Sequence, residues 1–193
     1  MKKVFAIALA LGALSAGQVF AQAKNLEGFN LGGNLEVDRG YLSASDGASG
    51  DAHRTGVGLE ARYDWAVDSQ FLIGLGVSAG TGHRNAGTYA SGLPAYTKDR
   101  YAIDVVPAYV LSNGMVVYGK VSALQAKAQA DDGSGSATVR GTGYGIGLRG
   151  YIDNRTYWQA GLDTHRYRDV GFATGTSASL KDNVLSLGVG YRF

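Results

Sequence analysis

The sequence predicts an all-β fold: a transmembrane, antiparallel up-and-down β-barrel of about eight strands. Three observations predict it. Apolar and polar residues alternate with a period of two in segment after segment, a spacing that only a pleated strand turns into two faces. The links between these segments are alternately short and long, and the chain opens with the features of an export signal.

The export signal comes first. Met1-Lys2-Lys3 gives a positive start, Val4 to Ala16 an apolar stretch, and small residues lead to A-x-A-like sites ending at Ala21 and Ala23. A cleaved signal over residues 1–23 is expected, with a barrel domain over 24–193. The apolar stretch is shorter than the ~20 residues that an anchoring helix needs.

Eight strand-like segments follow. From Phe29 to Tyr41 the odd positions are mostly apolar and the even ones polar or Gly. The pattern returns at Thr55 to Trp65, Phe71 to Ala79, Tyr101 to Leu111, Met115 to Gln125, Tyr144 to Ile152, Trp158 to Arg166 and Leu185 to Phe193. Leu124 to Ala130 lacks an apolar helical face and reads as strand running into loop. The tight links are Ala66 to Ser69, Ser112 to Gly114 and Asp153 to Arg155, rich in turn-forming residues. The long ones, Ser43 to Arg54, Gly82 to Asp99, Ala130 to Ala137 and Asp169 to Lys181, are expected to be extracellular loops, with both termini periplasmic.

Composition excludes several alternatives. With 193 residues a single domain is expected, and the absence of cysteine rules out disulfides and thiolate metal sites. Three scattered histidines suggest no metal site, and a net charge of +2 without a basic run suggests no nucleic-acid partner. No cofactor is implied. Gly143-Tyr144-Gly145-Ile146-Gly147 lies inside a strand, so it is not a nucleotide loop.

Alternating strands also build soluble sandwiches and lipocalin-like barrels, so the orientation of the faces must be decided. Charges recur on the polar face, whereas aromatic residues gather where membrane interfaces would lie. Trp65, Phe71, Tyr109, Trp158, Tyr191 and Phe193 fall near the short turns, and Tyr41, Tyr101 and Tyr144 toward the opposite strand ends. Pro107 lies on the apolar face and favours neither reading. With the apolar face outward, the inward set is Glu36, Asp38, Glu60, Arg62, Asp64, Asp104, Lys120, Arg149, Asp163, His165 and Arg192. A barrel this narrow is filled by side chains, so a paired, polar plug is expected. Inward glycines such as Gly147 and Gly190 leave space for the long cationic arms, beside their role in twist and curvature.

The C-terminus ends in alternating Leu185, Leu187, Val189, Tyr191 and a terminal Phe193. With the strand pattern, this resembles the small outer-membrane barrels of the OmpA and OmpX type, over the whole mature chain. The resemblance implies that this ending is read by the barrel-assembly machinery, and that outer-membrane lipid and lipopolysaccharide surround the barrel. It implies a structural or surface-interaction role, adhesion included, with a narrow pore as the alternative. Some relatives remodel lipid A, with a His-x-Ser arrangement facing lipid in the deacylases. Here Asp163 precedes His165 on one face, but Tyr167 stands where Ser would be and the face is the inward one, so no catalytic residue is expected. A surface ligand would meet the long links, where Tyr89, Leu93 and Tyr96 form the bulky group against an otherwise small, polar background.

Overall fold

The computed structural model describes residues 23–44, 49–81, 84–88, 94–130, 136–171 and 177–193. Residues 1–22, which carry the expected export signal, lie outside the described residues, as do Tyr89 and Leu93. The described chain starts with a 3-10 turn, η1 (Ala23–Leu26). It continues through β1 (Gly28–Ala44), β2 (Ser49–Ala66), β3 (Phe71–Thr81), β4 (Arg84–Thr88), β5 (Pro94–Val110), β6 (Val116–Ala130), β7 (Ser136–Tyr151), β8 (Thr156–Gly171) and β9 (Ser177–Arg192).

Every pairing is antiparallel between barrel neighbours. The order is β3-β2-β1-β9-β8-β7-β6-β5, and β3 pairs with β5 to close the ring. Eight strands thus make the barrel, in the expected up-and-down order. The short β4 pairs only along the start of β5, Thr88 opposite Pro94 and Arg84 opposite Thr97, and extends that hairpin past the ring.

The short turns are where the sequence places them. Asp68 accepts from the backbone N–H groups of Gln70 and Phe71 at 2.7 and 2.8 Å, and Asp153 from those of Arg155 and Thr156, both at 2.7 Å. These are the Asx turns that Asp favours. The long links differ from the expectation. Strand pairing runs to Ser43 opposite Ser49, Gln129 opposite Ser136 and Gly171 opposite Ser177, so most of these segments are hairpin and not loop. Leu124 to Ala130 is likewise strand to its end. Beyond the membrane a strand needs no apolar face, so a Gly-, Ser- and Ala-rich composition hides it from a period-two reading. A bilayer crossing takes about 9–11 residues, so β1, β2 and β5 to β9 all project beyond it at the end away from the short turns.

Candidate functional site

The two faces of the wall are inverted relative to a soluble protein. Leu35 is 63% exposed on the outside, while its neighbour Glu36 is 8% exposed inside. Leu59, Ile103, Ile146 and Leu162 are exposed in the same way, and Arg62, Asp64, Asp104, Asp163 and His165 are buried. Such a wall is stable only where the outer medium is apolar. Aromatic residues mark the edges of the outer band. Phe71 and Tyr109 pair edge-on at 5.9 Å between centroids, Tyr191 and Phe193 at 5.0 Å, and Tyr63 and Trp65 lie 4.8 Å apart. Tyr41, Tyr101 and Tyr144 are exposed nearer the other end. From Tyr101 to Tyr109, β5 covers roughly 26 Å of strand, which at a barrel tilt of about 40° is about 20 Å of height, most of the apolar band.

Inside, the barrel is filled in layers. The layer at the short-turn end is apolar: Leu72, Val106, Ala108, Val110, Val116 and Tyr118 pack with Ala23 and Leu26 of η1. The expectation of a polar plug throughout is therefore corrected at this end. Arg192 holds η1 in place, donating from Nη1 to the carbonyls of Asn25 and Glu27 and from Nη2 to that of Asn154. Its inward parity groups it with the interior charges, but it reaches backbone carbonyls at the mouth. Alternation fixes the face of a residue and not its partner.

The middle layer centres on Asp64. Arg62 Nε binds one carboxylate oxygen at 2.8 Å, and Arg149 Nη1 binds the other at 3.0 Å across the barrel. Asn30 Nδ2 donates to the same second oxygen at 3.2 Å. Arg149, 1% exposed, also lies over the Tyr118 and Tyr157 rings at 5.8 and 4.9 Å. Glu60 lies 3.8 Å from Arg62 and accepts from Gln159 at 2.8 Å. The glycines here serve the tyrosines: a Cβ on Gly147 would collide with the Tyr118 ring and one on Gly190 with that of Tyr157. They do not make room for Arg arms at these two places.

The upper layer holds the remaining charges. Arg100 Nη2 reaches both oxygens of Glu36 at 2.7 and 2.6 Å, and its Nη1 lies 3.3 Å from His165 Nδ1. Lys120 pairs with Asp163 at 2.8 Å, and Ser122 and Ser78 donate to Asp104 at 2.5 and 2.8 Å. Asp38 is buried on the same wall, opposite Val184 in the register. The space left among these groups is about 40 Å³, enough for roughly three waters. The His165–Asp163 relation read from spacing is not an isolated dyad, since Asp163 carries Lys120 and His165 faces a guanidinium.

Arg100, Tyr118 and Tyr157 are among the interior residues that the sequence reading leaves out. Arg100 stands at the end of Lys98-Asp99-Arg100, which looks like a solvated link. A bulge sorts the run: pairing slips between Lys98 and Tyr101, and Asp99 has φ 51°. Asp99 is thereby turned outward and Arg100 inward. Tyr118 and Tyr157 share faces with Lys120 and Gln159, and a tyrosine on the charged face was the available signal. Trp158 is corrected as well. It has outward parity, but it is only 8% exposed, with its indole against Gly150.

At the short-turn end, Glu27 accepts from the Ala66 N–H at 3.1 Å and from Lys24 at 3.0 Å. The Ala66 bond, then Lys24, holds its carboxyl below the usual range. Asp153 is held low in the same way, by the N–H groups of Thr156 and Arg155.

A closed ring with an apolar outside and a charged inside leaves the family to be decided by sequence. Residues 6–193 match the model of the outer membrane protein beta-barrel domain. The chain belongs to that family. No curated protein matches it in sequence. Among solved structures, this family member is similar in fold to Neisserial surface protein A at 14% identity, covering 86% of this chain and 97% of that one, with a TM-score of 0.60. It is similar to Ail, the attachment invasion locus protein of Yersinia pestis, in complex with the heparin analogue sucrose octasulfate: 18% identity, 86% and 99% coverage, TM-score 0.55. It is also similar to the outer membrane protein OprG of Pseudomonas aeruginosa, at 12% identity, 86% and 96% coverage, TM-score 0.51. At these identities the likeness shows the fold.

Proposed function

We propose that this outer-membrane barrel is sealed, and that it acts through the strand extensions it presents outside the cell rather than through a pore or a reaction. The filled interior carries the reading. A solute would have to part the Arg149–Asp64–Arg62 layer and then the packed floor of Leu26, Leu72, Val110 and Val116. Breaking the first strands buried charges, and breaking the second opens a close-packed core. A surface role also agrees with the attachment role that the name of Ail records for that protein. Here the argument rests on strands that run well past the bilayer.

The test is conductance in a planar bilayer, paired with attachment of bacteria that carry the chain. No steady current step is expected. An Arg100→Ala variant, which opens the upper layer alone, is expected to stay silent because the floor remains. Attachment is expected to fall when the extensions of β1–β2 and β8–β9 are trimmed to tight turns. Steady conductance in the parent chain would overturn the sealed reading and favour a narrow pore.

A further inference from the structure

The inner face of η1 is made by two residues. A 3-10 turn eclipses side chains three positions apart, so Ala23 and Leu26 lie together inside, while Lys24 and Asn25 between them are exposed. Ala23 is 0% exposed, and both inner residues belong to the packed floor with Leu72, Val110 and Val116. The backbone of the turn is tied as well. The Ala23 N–H donates to the Ser69 carbonyl, in the link between β2 and β3, at 2.8 Å. Arg192 donates to the carbonyls of Asn25 and Glu27, and the Glu27 carboxylate accepts from the Ala66 N–H. The docked stretch thus includes Ala23 itself, in side chain and in backbone.

Ala23 is also the last residue of one of the two A-x-A-like sites. By pattern alone Ala21-Gln22-Ala23 is the closer match, because Val19-Phe20-Ala21 has Val at the first small position. The two cuts have opposite consequences for the floor. A cut after Ala23 takes away the methyl group that shares the inner face with Leu26, removes the first carbonyl of the turn and breaks the bond to Ser69. It leaves a void in a close-packed layer. A cut after Ala21 keeps all three features. It also keeps charge out of the floor, because the Ala23 nitrogen is then an ordinary peptide N–H and the new α-amine belongs to Gln22.

We infer that a leader peptidase cuts this chain between Ala21 and Gln22, so that Gln22 is the first mature residue and Ala23 to Glu27 stay on the chain as the plug of the barrel floor. Water adds across that one peptide bond. The leader leaves with the new carboxylate on Ala21, and the barrel keeps the new α-amine on Gln22. The residues before the bond suit the reaction, since Val19 and Ala21 are small side chains at the third and first positions before the cut. The plug is therefore made by processing: the residue that ends the better-matching site is the one around which the floor packs. The inference does not rest on whether the barrel conducts.

The experiment expresses the whole precursor in a Gram-negative host and reads the intact mass of the barrel extracted from its outer membranes. A mass that starts at Gln22 is expected, with or without the ammonia that an N-terminal glutamine loses on cyclising. A mass that starts at Lys24, at Met1 or at any other residue overturns the inference. Ala23→Leu spoils only the second site, and on total cell protein it is expected to be cut as fully as the parent. Accumulation of its uncut precursor overturns the inference, because the second site would then be the one in use. Ala23→Gly tests the plug itself, since it removes the methyl group and leaves both the cut and the N–H in place. Its folded band is expected to be lost on heating about 2–4 °C below that of the parent. An unchanged midpoint overturns the plug half.

Discussion

The two ends of the barrel interior are built by the same strands and the same alternation, yet they are filled by opposite chemistries. Near the short turns, Leu72, Val106, Val110 and Val116 meet Leu26 of η1 in a packed apolar core. Farther from the short turns, β2, β5, β6 and β7 turn Asp64, Asp104, Lys120 and Arg149 into the lumen, and these meet as ion pairs and hydrogen bonds. The floor excludes water by filling volume, and its stability grows with each buried methylene. The charged layers exclude water by satisfying one another, so each depends on a particular partner. A small barrel can therefore be closed twice, by mechanisms that fail in different ways.

That difference can be broken experimentally at either end. The largest effect is expected in the charged layer. Arg149→Ala leaves Asp64 with Arg62 and Asn30 in a site that is nearly inaccessible, and about 3–5 kcal/mol should be lost. Unfolding by urea in lipid vesicles measures it. Glu60→Ala should cost clearly less, because Glu60 is the more exposed member of a 3.8 Å contact with Arg62 and also leans on neutral Gln159. Equal, small effects from both would mean that water reaches the middle layer and that the charges do not seal it.

The next effect belongs to the floor. Leu72→Ala removes a fully buried side chain facing Leu26 and the β5 valines. About 2–4 kcal/mol should be lost, the range of leucine truncations in close-packed cores. Unlike the loss at Arg149, this one should be largely recovered by a side chain of similar volume, Leu72→Met. A neutral Leu72→Ala would show that η1 does not pack against this layer in the membrane.

How much of this was legible in the sequence follows from what alternation encodes. It fixes which face a residue takes, so Glu36, Arg62, Asp104 and Asp163 could be placed inside and Leu35 and Ile146 outside without coordinates. It does not fix depth or cross-strand neighbours. Arg192 was assigned the inward face and bonds at the mouth to carbonyls far away in the chain. Trp158 was assigned the outer face, but its burial depends on Gly150 of the adjoining strand, which only the register reveals. Arg100 was hidden by the bulge at Asp99, and the strand extensions by a composition with no apolar face to repeat.

The smallest expected effect is at the short-turn rim, where a pH titration separates the rim from the layers above it. Glu27 and Asp153 lie outside the spanning strands, and both carboxyls are held below their ordinary values by backbone N–H groups. Their folded pKa is depressed, so they stabilise the rim fully above the ordinary carboxylate range, about pH 4. That stabilisation fades as the pH falls through the lower, folded values. Thermal unfolding of a Glu27→Gln, Asp153→Asn variant should therefore match the parent more closely as the solution is acidified below about pH 4. Above that range the variant should be the weaker of the two, because a neutral side chain accepts those N–H bonds less strongly. A constant gap between variant and parent down to strong acid would mean that these carboxyls contribute only their shape to the turns. The N-terminal 3-10 turn would then owe its place to Leu26, Ala23 and Arg192 alone.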